Sequence, residues 1–102
     1  MNGLQALSDP TRQRIVEMLA ASGALSSGDI ASRFELSKPA VSQHLKTLRD
    51  ARLVSVHADK QRRIYELNPD GVKELSDWIA RIRAFWVPKL DALEEALKSS
   101  KS

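Results

Sequence analysis

The chain has 102 residues, of which 42% are hydrophobic and 28% charged, with a net charge of +3 and no cysteine. That is the make-up of one soluble globular domain with a modest core, and it excludes disulfides and thiolate metal ligands. No apolar run approaches the ~20 residues that span a bilayer, and MNGLQALSDP lacks the basic and apolar regions of a signal peptide, so a cytoplasmic protein without membrane contact is expected.

In chain order, residues 2 to 7 suit a short helix with Leu4 and Leu7 on one side. In SDPTRQRIVEMLAASG, Asp9 is a good N-cap and Pro10 stands where a missing N–H costs nothing. Ile15, Val16 and Leu19 then form an apolar face until Gly23 stops the helix. A short helix from about Ser27 to Phe34 turns Ile30, Ala31 and Phe34 inward. Ser37 caps the next helix, LSKPAVSQHLKTL, whose Pro39 lies in the tolerant first turn.

After Arg52 the period changes from helical to alternating. LVSVHAD and RRIYELN flank the polar turn Asp59-Lys60-Gln61 and predict a β-hairpin over 53–67. Asn68-Pro69 restarts a helix over 69–98. Its apolar positions are Val72, Leu75, Ile79, Ile82, Trp86, Leu90, Leu93 and Leu97, with Trp78 and Phe85 widening the stripe. Pro88 inside it predicts a bend near Val87 or two successive helices. So wide a stripe exceeds what a small protomer can cover, and a partner helix is the natural cover. A dimer seam of Leu4, Leu7, Leu75, Ile79, Ile82, Trp86, Leu90 and Leu93 is expected, formed by helices 2–7 and 69–98.

The order is α-α-α-α-β-β-α: a mainly α single domain over 1–102 in which residues 27–50 form a helix-turn-helix and the hairpin is its wing. Taking Val41 as zero on a helical wheel, Leu45 and Leu48 fall within about 40° of it at 100° per residue. Pro39, Ser42, Gln43, Lys46 and Thr47 then fall on the other side, a face of small residues and hydrogen-bonding tips without a carboxylate. Small residues let a helix come close to a groove, Gln can bond a base edge with both ends of its amide, and Ser and Lys can reach bases or phosphates. Between Leu36 and Leu67 there are seven basic residues against three acidic ones, so this segment carries +4 and the remainder −1. Such a block is the footprint of a polyanion partner. His44 flanks the apolar face and reads as a satisfied histidine; His57 receives no role.

LSDPTRQRIVEML, LSKPAVSQHLKTLRDARLV and RRIYELN, in this order and spacing, resemble the ArsR/SmtB family of winged-helix repressors over residues 4 to 98. The resemblance implies a homodimeric repressor that binds an inverted-repeat operator in double-stranded DNA. It places DNA contacts on Lys38, Pro39, Ser42 and Gln43, with Arg62 and Arg63 in the wing; the wheel and the charge pattern add Lys46, Thr47 and Lys60. Metal-sensing members use Cys pairs, or Asp, His and Glu sets on the last helix. This chain has no Cys and its last helix no His, so no metal or other cofactor is expected and the effector stays open. Asp70, Glu74 and Asp77 read better as charges favoured at a helix N-terminus. The alternatives are a winged-helix protein-interaction module or a regulator controlled by a partner protein. No enzyme is expected, because neither His has a Ser and Asp arrangement around it and no Gly-rich phosphate loop is present.

Overall fold

A computed structural model describes residues 3–100. The elements are α1 (Gly3–Ala6), α2 (Pro10–Ser22), β1 (Ala24–Ser26), α3 (Ser27–Ser32), α4 (Lys38–Asp50), β2 (Val54–Asp59), β3 (Arg62–Leu67) and α5 (Pro69–Ser100). This is a winged helix-turn-helix: α3 and α4 are the two helices of the motif, and β2 and β3 the wing.

Local chemistry sets each boundary. Asp9 accepts from the Arg12 amide, Ser26 from that of Asp29 and Ser37 from that of Ala40, so α2, α3 and α4 each begin on a side-chain cap. Gly23 ends α2 with φ 88° and donates its amide to Leu19. The end of α4 is a Schellman arrangement. The Leu53 amide reaches the Leu48 carbonyl at 3.0 Å and the Arg52 amide that of Arg49 at 2.9 Å. Arg52 occupies the left-handed position, φ 64°, where glycine is usual.

The core joins Ile15 and Leu19 of α2, Ile30 of α3, Val41, Leu45 and Leu48 of α4, Leu53, Val54, Tyr65, and Leu75 of α5. Four corrections to the sequence expectations follow. First, β1 exists: it pairs antiparallel with β3, Leu25 opposite Tyr65, making a three-stranded sheet in the order β1-β3-β2. Three residues are too few for an alternating pattern to show. Second, α3 ends at Ser32, short of Phe34, which packs half-buried under the Arg14 guanidinium, 4.8 Å from its ring centre. Third, α1 stops at Ala6, so Leu7 lies beyond it and leans on the protomer's own core. Fourth, of the two outcomes expected at Pro88, a bend or two successive helices, the second does not occur: α5 runs as one helix through it. Proline removes only the bond to the Ala84 carbonyl, and the ladder resumes on both sides. At 1.5 Å per residue α5 is roughly 48 Å long, which accounts for principal extents of 66 × 28 × 21 Å. Among the described residues no helix is long and apolar enough to cross a membrane.

Candidate nucleic-acid interface

Burying Val41, Leu45 and Leu48 fixes which face of α4 looks outward. On that face Lys38, Pro39, Ser42, Gln43 and Lys46 are all exposed. Thr47 is different. It is half-buried, donates its hydroxyl to the Gln43 carbonyl at 3.1 Å, and lines a recess with Gln5, Ala6, Arg12, Asp50 and Ala51 on the α1 side. Its position one step around the helix from Lys46 turns it from the outward face toward the body of the domain.

The wing pairs Val54 with Leu67 through to Asp59 with Arg62, leaving Lys60 and Gln61 as a two-residue loop with Lys60 at φ 60°. Lys60, Arg62 and Arg63 are exposed there. Alternation along β3 sends the two arginines to opposite faces. Arg62 meets Asp29 of α3 at 3.3 Å, an exposed pair worth at most ~1 kcal/mol that a phosphate can displace. Among the described residues Lys38, Lys46, Arg49, Lys60 and Arg63 have no carboxylate partner.

Arg63 faces a groove of about 220 Å³ lined by Ser27, Ser42, Lys46, Arg49, Arg63 and Tyr65. Ser27, Arg49 and Tyr65 do not stand out as DNA-facing residues in the sequence. Arg49 is legible there in principle, since it continues the row Ser42, Lys46 at the next helical step; Ser27, in the first turn of α3, and Tyr65, in β3, carry no such signal.

The flank of α4 is anchored through His44. The Arg12 guanidinium donates to His44 Nδ1 at 3.2 Å and to the Ala6 carbonyl at 2.6 Å, tying α1, α2 and α4 together. Asp9 Oδ2 stands 3.9 Å from the same ring nitrogen. The Arg12 amide on Asp9, with the charges of His44 and Arg12 assisting, holds that carboxyl below its ordinary value of 3.8. His57 is exposed, 3.9 Å from Glu66.

The residues expected at a dimer seam divide. Leu75 is only 7% exposed and belongs to the protomer's own core, and Leu7 is half-buried against that core, so Leu75 offers almost no surface to a partner and Leu7 only part of its own. Both sit where α1 and the first turns of α5 close over the domain. Leu4, Ile79, Ile82, Trp86, Leu90 and Leu93 are exposed, together with Phe85, Val87 and Leu97. Phe85 and Trp86 meet edge to face at 5.3 Å. Glu74 is paired with Arg52 at 3.0 Å and Asp77 with Lys73 at 2.8 Å, and among the described residues no three potential metal ligands converge.

Residues 9–56 match the bacterial regulatory protein family arsR. The HTH-type transcriptional regulator Rv2034 of Mycobacterium tuberculosis is 43% identical over 93% of this chain and 85% of its own length. The transcriptional repressor SdpR of Bacillus subtilis is 38% identical over 76% and 86%. A crystal structure described as a possible transcriptional regulator for arsenical resistance superposes with a TM-score of 0.75 at 34% identity, covering 91% of this chain and 93% of the other. These relatives are transcriptional regulators rather than enzymes. The chain carries their winged helix-turn-helix and belongs to the arsR family of DNA-binding transcriptional regulators.

Proposed function

We propose that the chain is a homodimeric repressor that binds an inverted-repeat operator, with α4 in the major groove and the wing on the backbone or in the minor groove. One observation carries this reading. The outward face of α4 presents Lys38, Pro39, Ser42, Gln43 and Lys46 to solvent without an acidic side chain among them, beside a wing that adds Lys60, Arg62 and Arg63. A helix whose other face is buried in the core has its orientation fixed, and a groove is the surface that this one fits.

The dimer is supported by the stripe on α5, where Ile82 is 39%, Trp86 50%, Leu90 58% and Leu93 56% exposed in one protomer. So much contiguous apolar surface marks an interface, and a second copy offers the same surface in return. Repression as the direction of control follows SdpR, and the cytoplasm, where a bacterial chromosome lies, is the place of action. No metal is assigned as effector, because Glu74 and Asp77 of α5 are held in ion pairs and the chain has no thiol.

The experiment is selection of bound duplexes from a random pool. Enrichment of an imperfect inverted repeat, with half-site centres about one helical turn or a small multiple apart, is the expected result. A single asymmetric site, or no enrichment, would overturn the reading.

A further inference from the structure

We propose that the groove between α3, α4 and β3 is a seat for one backbone phosphate of DNA, with Arg49, Arg63 and Lys46 as its cations and the Tyr65 hydroxyl as a neutral donor on its floor. The proposal rests on the DNA-binding reading above and deepens it by naming one contact and adding to it Arg49 and Tyr65, which that reading does not use.

Three observations converge. The groove, about 220 Å³, is lined by three cationic side chains from two elements and by no carboxylate. None of Lys46, Arg49 and Arg63 has an ion-pair partner among the described residues, whereas the neighbouring Arg62 is held by Asp29. The third is Tyr65. The residue is only 6% exposed, and its hydroxyl makes no hydrogen bond among the described residues. Yet no fully buried side-chain oxygen or nitrogen lacks a partner among them. The hydroxyl therefore keeps some contact with solvent, and Tyr65 lines the groove.

The chemistry matches a phosphodiester. Guanidinium groups bind phosphate oxygens through two donors at once, and hydroxyl donors complete the shell in a partly enclosed site. Ser42 and Lys46 lie on the same α4 face as Gln43, so a phosphate held here would set how deep and in what register α4 enters its groove. Arg49 in the last turn of α4 also suits the helix dipole, but that role is blind to DNA.

The test uses the full-length protein and the duplex it selects, with each phosphate in turn replaced by a neutral methylphosphonate, on wild type, Arg49→Gln and Tyr65→Phe. Tyr65→Phe keeps the buried ring and Arg49→Gln changes a surface head group, so thermal melting should match wild type. The expected result is one linkage per half-site at which neutralisation weakens wild type roughly tenfold, the worth of a hydrogen bond to a charged group, and weakens both variants far less. Both variants should lose the same factor on selected and random duplexes, and only Arg49→Gln should lower the salt slope, by about one. If wild type binds its duplex while both variants bind as tightly, or lose affinity with every linkage as sensitive as before, the seat is overturned and the DNA reading stands. If wild type selects no duplex, both fall. Inorganic phosphate at matched ionic strength should leave DNA affinity unchanged; competition that Tyr65→Phe relieves would reassign the groove to a free anion and overturn the proposal.

Discussion

The carbonyl oxygen of Arg52 lies 1.6 Å from where a Cβ on Gly71 would stand, so the turn leaving α4 and the first turn of α5 meet backbone to backbone. Gly71 permits that approach. In an open helix Gly→Ala stabilises by ~1 kcal/mol. Here the added methyl collides with a carbonyl fixed by the Schellman turn, and Gly71→Ala should instead destabilise by ~3 kcal/mol. A urea titration decides it; a midpoint equal to or above wild type would mean α5 can shift away freely.

A second prediction concerns acid. The Arg12 amide lowers the Asp9 carboxyl from its ordinary 3.8. A carboxyl with a depressed folded pKa contributes stability that is complete above its unfolded value and lost as pH falls through the folded one. Asp9→Asn keeps a capping oxygen but cannot titrate. From about pH 5 to about pH 2 its urea midpoint should therefore fall less steeply than that of wild type. Parallel curves would show that Asp9 does not contribute to the acid limb.

Assembly is tested at two positions on α5. Ile82 is 39% and Trp86 50% exposed in the single protomer, so Ile82→Asp or Trp86→Asp should leave the domain folded. On a two-fold seam each would bury a carboxylate twice without a partner. Sedimentation at micromolar concentration should show folded monomers for both variants and dimers for wild type. Variants that remain dimeric would put the interface elsewhere.

Much of the fold is legible in the sequence because buried faces and caps are local signals. Val41, Leu45 and Leu48 announce which side of α4 is free, and Asp9-Pro10 and Ser37 mark two helix starts. The hairpin ends fall within a residue of β2 and β3. What escapes depends on neighbours distant in sequence. Ala24–Ser26 becomes a strand only because β3 passes beside it. Leu75 stands on the same stripe as Ile79, yet it packs into the core while Ile79 clears the edge of the domain; a helical stripe does not say where the body of the protein ends. Thr47 leaves the outward face because α1 closes over that side of α4. The Tyr65 hydroxyl could not be anticipated, since a tyrosine in a strand reads as core.

The most direct test of DNA reading is a salt series on the selected operator and on scrambled DNA, for wild type, Gln43→Ala and the double change of Arg62 and Arg63 to Ala. Gln43 is exposed on α4, and its loss should cost ~1–3 kcal/mol on the operator and little on scrambled DNA, because a base-edge contact exists only with the right base. The arginine pair should weaken both DNAs more evenly. It should also flatten the dependence of log affinity on log salt by roughly one unit for each phosphate no longer neutralised. Should Gln43→Ala weaken both DNAs equally while the arginine variant loses only specificity, then helix and wing do not divide sequence and backbone between them in this way.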